Sequence, residues 1–421
     1  TQFRTQWPWK CLERAPLLAA SFVPLAFNSA AQYPWNAFAP LISSGLDEPM
    51  ARVELAFVVF VVVSTLVQLA TGPIADVRGP RAVAVPASFL SAVGFLGASA
   101  SSGLREFIAF WAVGSAGEGA LYGVASNVAV KWFPDRRGLA TGLVSLGYGI
   151  GSAVANPLIG VAHGFRSPAT IIGEVELVAL VALSVTLKYP SGQRGVGLRA
   201  VALSWRWWLL YASFTLALVP LVAYSGSLAE LSGVRGRWLY VSLAAFPLAS
   251  GLGRPLLGAL SDRLGRTRTA AAALLGSLVA VSLSYMGGPL GLLGVILVGL
   301  YGGALIPLYF AIVGDLYGER MSTSNTALIY TGKALTGLIA GAIAEAALAD
   351  PLLARALLPV TTVSSLVALL TSVGLGFRGL ASAGRIPSAR WSRGLSLPQH
   401  HQDKVQHPRA SARSNYRGLG P

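Results

Sequence analysis

The chain has 421 residues, 54% of them hydrophobic and only 12% charged, with a mean hydropathy of +0.61. Soluble domains carry about 25% charged residues, so a chain this poor in charge cannot build a water-facing surface of its own. The net charge of +15 falls in short gaps between apolar runs and in a polar C-terminal tail, a pattern of membrane topology rather than of a nucleic-acid partner.

A spanning helix needs about 20 mostly apolar residues. Twelve runs qualify: 15–43, 53–72, 82–102, 106–130, 138–161, 168–187, 205–229, 237–260, 269–286, 288–314, 322–348 and 352–377. The first contains Gln32, Tyr33, Trp35 and Asn36 and lacks a convincing cleavage site, so it reads as a retained helix and not as a signal peptide. With the N-terminus inside, the inner segments hold Arg4, Lys10, Arg14, Arg78, Arg81, Lys131, Arg136, Arg137, Lys188, Arg194, Arg199, Arg263, Arg266, Arg268 and Arg320, while the outer loops hold Arg52, Arg105, Arg166, Arg235, Arg237 and Arg355. This bias predicts a multi-pass protein of the cell (plasma) membrane with both termini cytoplasmic. The fold class predicted is an all-α membrane protein of twelve transmembrane helices in two pseudo-symmetric six-helix bundles. Residues 1–187 form the first bundle, 188–204 a cytoplasmic connection and 205–377 the second bundle. Residues 378–421 form a basic tail that reads as disordered. Tail cations near anionic lipid at the cytoplasmic face contribute about 1 kcal/mol each. Forty-eight glycines suit close helix packing in lipid.

The second and eighth runs end in the same kind of turn. Residues 72–81 are Gly72-Pro-Ile-Ala-Asp76-Val-Arg-Gly79-Pro-Arg81, and residues 258–268 are Gly258-Ala-Leu-Ser-Asp262-Arg263-Leu-Gly265-Arg266-Thr-Arg268. A turn repeated at matching points of two halves marks a transporter built from repeats. It resembles the loop signature of the major facilitator superfamily, Gly-x-x-x-Asp-Arg-x-Gly-Arg-Arg, although the first copy has Val77 and Pro80 where basic residues are usual. The resemblance implies that Asp76 and its surrounding turn latch the two halves and do not bind substrate.

A longer block follows: Gly-Glu-Gly-Ala-Leu-Tyr-Gly at 117–123, Lys-Trp-Phe-Pro-Asp-Arg-Arg-Gly-Leu-Ala-Thr-Gly at 131–142, and Gly-Tyr-Gly-Ile-Gly-Ser at 147–152. It is similar to the helix 4 to helix 5 region of oxalate:formate antiporters and the related monocarboxylate transporters. Pro134 stops a helix, Arg136 and Arg137 mark the inner interface, and Gly138 and Gly142 form a small-residue packing face.

Two cations stand inside spans. Arg254, in Gly-Leu-Gly-Arg-Pro, lies about 10 Å from the inner end of the eighth helix, and Lys333, in Tyr-Thr-Gly-Lys-Ala, about 16 Å along the eleventh. Each costs about 2.5–3.5 kcal/mol at mid-membrane, which a negatively charged visitor would offset. In oxalate:formate antiporters an arginine in helix 8 and a lysine in helix 11 hold the carboxylates, and both local contexts match. Gln32, Tyr33 and Tyr122 resemble substrate-facing positions of that group. The tenth helix ends in the family-like Gly-Asp-Leu-Tyr-Gly of 314–318 but carries Gly-Gly-Ala-Leu-Ile at 302–306, where the oxalate carriers place aromatic rings. This implies a wider, less aromatic cage. Trp111, Trp205, Trp207 and Trp208 read as an interfacial belt.

Acids complete the set. Glu118 lies mid-helix, Glu345 late in the eleventh helix, and Glu174 and Glu176 in the sixth. Glu118 or Glu345 would pair with a cation or carry a proton. The predicted function is a secondary active transporter that moves small mono- or dicarboxylates by alternating access, as exchanger or proton symporter. The competing reading is a proton-coupled carrier of a sugar or drug, with Arg254 and Lys333 permanently paired to Glu118 or Glu345. An enzyme is not expected, since the loops hold no nucleophile or metal constellation. No cofactor or metal is expected either: there is one cysteine, Cys11, and three of the four histidines sit in the tail.

Overall fold

The structure, a computed structural model, describes residues 7–32 and 34–374. Tyr33 and the tail from 378 onward therefore lie outside the described residues. The helices are α1 (Trp7–Gln32), α2 (Trp35–Leu46), α3 (Met50–Arg78), α4 (Arg81–Ala100), α5 (Leu104–Trp132), α6 (Arg137–Gly160), α7 (Arg166–Ser184), α8 (Leu198–Ala202), α9 (Trp205–Ala217), α10 (Val219–Leu231), α11 (Arg237–Leu264), α12 (Arg266–Ser284), α13 (Gly288–Tyr317), α14 (Ser322–Tyr330), α15 (Gly332–Ala349) and α16 (Pro351–Gly374). Long apolar runs become helices because lipid offers no partner to a free backbone N–H or C=O. Ten described helices are long and apolar enough to cross a membrane.

Three predicted spans are each two helices. The first breaks before Pro34, whose ring lacks an N–H and starts α2. The seventh divides at Leu218, just ahead of Pro220, and bends again at Ser227 (φ −139°, ψ 44°). The eleventh divides at Thr331, whose hydroxyl turns back to the carbonyl of Leu328 at 2.7 Å. The fourth span, α5, falls short of the apolar threshold because of Glu118, Asn127 and its many small residues. It packs against α1, α3, α4 and α6, so it needs no lipid-facing stripe. The connection 188–204 holds α8, and Gly195 bridges to Gly318 at the end of α13.

The helices of the first six spans pack on one another through α4–α5, α4–α7, α1–α6 and α3–α5. Those of the last six pack through α11–α13, α12–α13 and α9–α16. The two sets meet along two seams, and the seams are unequal. Along α6–α11 the backbones touch repeatedly. A Cβ at Gly138 would strike Gly258 and Ser261, at Gly142 the backbone of Arg254 and Pro255, and at Gly149 Gly251. Along the other seam, Gly72 sits against α14, where a Cβ would lie 3.0 Å from the Thr323 carbonyl. Farther along, α3 and α15 part: a Cβ at Gly337 would meet only Val61 at 3.8 Å, and one at Gly341 nothing. A cleft of about 430 Å³ opens there, lined by Trp35, Glu54, Val61, Ser227, Lys333 and Gly341 among others. Gly142→Val is expected to lower the yield of monodisperse protein in detergent sharply, because overpacking against backbone costs about 1–3 kcal/mol or more. Gly160→Val, where nothing lies within 4 Å, is the control that should leave yield unchanged.

The tryptophan belt needs correction. Trp205 and Trp208 are exposed, but Trp207 and Trp111 are buried. Trp207 packs on Tyr317 and Trp111 on Phe38, Phe95 and Phe107. Composition cannot tell a ring facing lipid from one facing a neighbouring helix.

Candidate functional site

The duplicated turns share a backbone shape. Gly79 (φ +90°, ψ 162°) and Gly265 (φ +95°, ψ 145°) close α3 and α11 with conformations that side-chain-bearing residues rarely adopt. Each turn then points its aspartate across a seam. Asp76 accepts hydrogen bonds from Ser324 N (2.8 Å), Ser324 Oγ (2.6 Å) and Thr323 N (3.3 Å), and pairs with Lys131 at 3.0 Å. Asp262 accepts from Gly138 N (3.0 Å) and Leu139 N (2.8 Å), and pairs with Arg266. One caps the first turn of α14, the other the first turn of α6. Both therefore satisfy orphan N–H groups at the positive end of a helix.

The rest of this end is knitted by charge. Arg137 pairs with Asp315 and Glu319, Arg266 reaches Asp315 at 3.0 Å, and Lys131 donates to the carbonyls of Glu319 and Arg320. Arg81 donates to the Leu187 carbonyl at 2.9 Å. Arg263 is exposed. Tyr189 lies under Lys131, 4.7 Å from ring centre to Nζ. Burial, then the charge of Asp76, pushes its phenol well above the usual range, so it stays protonated as a donor. Lys131 and Arg137 are both buried, whereas sequence reading took them for topology markers. The signal available was their presence in one block with the acids of 314–319 elsewhere, but the pairing needs the fold.

The second cluster lies within the spans, on α5, α6, α11 and the α14–α15 pair. Arg254 and Lys333 line one small cavity with Tyr122, Tyr148, Tyr330, Ser225 and an apolar floor that includes Leu221 and Ile306. Arg254 donates to the carbonyls of Ser145 (3.0 Å) and Ser250 (3.3 Å). Its guanidinium lies 5.1 Å from the Tyr148 ring, and Lys333 Nζ lies 5.9 Å from the same ring. Lys333 also donates to Tyr330 Oη at 3.1 Å. Tyr122 stacks on Tyr330 with centroids 4.9 Å apart and meets Tyr148 edge-on. Aromatic faces stabilise cations by about 0.5–2 kcal/mol each, which helps hold two like charges in a dry place.

The cavity leaves about 10 Å³, room for roughly one water. The wide, weakly aromatic cage inferred from residues 302–306 is therefore corrected. The rings come instead from α5, α6 and α14, and Phe310 of α13 adds its edge to Tyr330. Tyr148 was missed because it sits in a glycine-rich run that reads as packing.

Of the other sequence candidates, the described acids Glu345 and Glu118 lie elsewhere. Gln32 ends α1 and its side chain is not among those described; Tyr33 lies outside the described residues. Glu345 is exposed, about 18 Å along its helix from Lys333. Glu118 meets Ser91 of α4 at 2.9 Å and does not line the cation cavity. Among the described residues no ion pair joins either acid to Arg254, so the permanent ion pairs of the competing reading gain no support at that residue.

A search against known families matches residues 18–341 to the Major Facilitator Superfamily. The chain belongs to the Major Facilitator Superfamily. Members are transporters and not enzymes, and this one is an integral, multi-pass membrane protein. It is 46% identical over 329 residues to an uncharacterized 38 kDa protein in the 23S RNA operon of Thermoproteus tenax, covering 78% of this chain and 87% of that one. It is 25% identical over 354 residues to the oxalate:formate antiporter of Oxalobacter formigenes, covering 78% and 84%. The crystal structure of the Escherichia coli fucose:proton symporter superposes with a TM-score of 0.68 at 15% identity, covering 86% of this chain and 99% of that one. That likeness establishes the superfamily fold alone.

Proposed function

We propose that this transporter carries small mono- or dicarboxylates, and that Arg254 and Lys333 are the groups that hold them. The observation that carries the reading is the convergence of the two buried cations on the faces of one ring, Tyr148. An arginine fork suits a planar carboxylate and a lysine supplies a mobile point charge. The relationship to an oxalate:formate antiporter supports the same substrate class.

Transport is by alternating access, with the bundles 1–187 and 205–377 moving about the central cavity. The end closed by Asp76, Asp262, Lys131 and Arg137 faces the cytoplasm of a plasma membrane, where the basic loops meet anionic lipid. The cleft that reaches Lys333 opens toward the other end. Carboxylate enters from that side, displaces the rings from the cations, and is released when the charged network parts. The small present volume means the rings must separate before an acid fits.

Counterflow in proteoliposomes across a panel of labelled oxalate, formate, acetate, lactate and nitrate tests this. Exchange of at least one carboxylate is expected, with glucose and a cationic drug excluded. Movement of glucose or the drug with no carboxylate would establish the competing reading.

A further inference from the structure

We infer that Glu118, Ser91 and Glu176 form a proton-binding site inside the first six spans, separate from the cation cavity, and that it couples carboxylate movement to protons. Glu118 on α5 and Glu176 on α7 are both fully buried. Between them stands Ser91 of α4, its Oγ 2.9 Å from Glu118 Oε1 and 2.6 Å from Glu176 Oε2. A hydroxyl has one hydrogen and can give it to one carboxylate only. The second short contact requires a hydrogen from the carboxyl side: one glutamate is protonated and donates to Ser91 Oγ, while Ser91 donates to the other. A length of 2.6 Å is that of an O–H···O bond with an ionised partner. Two carboxylates sharing one site cannot both stay ionised.

The surroundings agree. Apart from each other, the groups facing the pair are neutral: Ser91 on α4, Asn28 on α1, and the Ser64 backbone of α3 against Gly119. The basic residues of these helices sit toward their ends, and Glu174 is exposed. A second, independent feature points to water. A small cavity of about 10 Å³ touches Glu118 and is lined by Phe60, Phe95, Trp111 and Ser115. Trp111 Nε1 and Glu118 Oε2, both from residues that line it, are buried with no hydrogen-bond partner among the described residues. One water in that cavity would accept from Trp111 and donate to Glu118, and would be the first acceptor for the proton. On discharge the carboxyl O–H bond breaks, the proton passes to this water, and the pair gains one negative charge. The link to the anion cavity is α5 itself, since Tyr122 stands one turn along from Glu118.

Coupling rests on the carboxylate reading; occupancy by a proton does not. The full chain is reconstituted with a pH-sensitive dye inside, and labelled oxalate or formate is followed. With an inward pH gradient of about one unit and one proton per charge, wild type should accumulate formate about tenfold or oxalate about a hundredfold and acidify the lumen. Glu118→Gln and Glu176→Gln should lose accumulation yet keep exchange. Unchanged accumulation in the variants, net accumulation without lumen acidification in wild type, or drive by a sodium gradient would overturn the proposal. If wild type exchanges no carboxylate, the substrate reading fails, and infrared spectroscopy of wild type decides the proton site. A protonated-carboxyl carbonyl band at neutral pH, lost in either variant, supports it; absence of the band overturns it. Ser91→Ala, which should shift that band, serves if a glutamine variant does not fold.

Discussion

Lys333→Met and Arg254→Gln are expected to abolish carboxylate exchange while leaving the protein as stable as wild type or more so. Removing one charge from a desolvated anion contact costs about 2–5 kcal/mol, or roughly 30- to 4,000-fold in affinity. The sign for folding is opposite. Both side chains are buried beside each other's charge, and replacing a buried cation by a neutral group of similar shape relieves desolvation and repulsion. Exchange in proteoliposomes and thermal unfolding in detergent check the two halves of this statement. A transition temperature that falls together with activity would give the cations a structural role and remove the ground for an anion site.

Asp76→Asn is expected to open the charged end of the molecule, and to do so more than Asp262→Asn. Asp76 and Lys131 are almost completely buried, with side chains 0% and 1% exposed, whereas Asp262 and Arg266 are 12% and 13% exposed. Breaking a buried pair by neutralising one partner costs about 3–5 kcal/mol, since the other charge stays buried. Water reaches the Asp262 pair, so its loss weighs less. A shift of about 3 kcal/mol changes a two-state ratio about a hundredfold. Spin labels at Val77 and Leu264, both exposed at the ends of α3 and α11, would report a wider distance distribution once Cys11 is replaced by serine. An unchanged distribution in Asp76→Asn would show that this aspartate is not a latch.

Much of this architecture is legible in one dimension. Apolar runs declare their helices because the bilayer leaves the backbone no alternative, and a repeated Gly-Asp-Gly turn survives comparison by eye. Arg254 and Lys333 stand out because a cation inside such a run needs a reason. What sequence could not supply is partnership across distance. Asp76 meets a helix start that lies near residue 323, and no local pattern announces that pairing. Glu176 looks like an ordinary acid beside Glu174; only the turn of α7 sends one inward and the other out. Tyr148 and Tyr330 bring to the cavity the rings that residues 302–306 lack. The break at Leu218 was written in Pro220, but proline is common enough in membrane helices to pass unnoticed.

The glycine contacts of α6 and α11 bear on how the molecule moves. A pair of bodies joined along one edge and pinned at a single corner of the other swings like a door on its jamb. The smallest displacements then fall around Gly142 and Gly149 and the largest around Val61 and Gly337. On the proposed reading, entry would be by the lysine side of the chamber, with the arginine standing close to the hinge post.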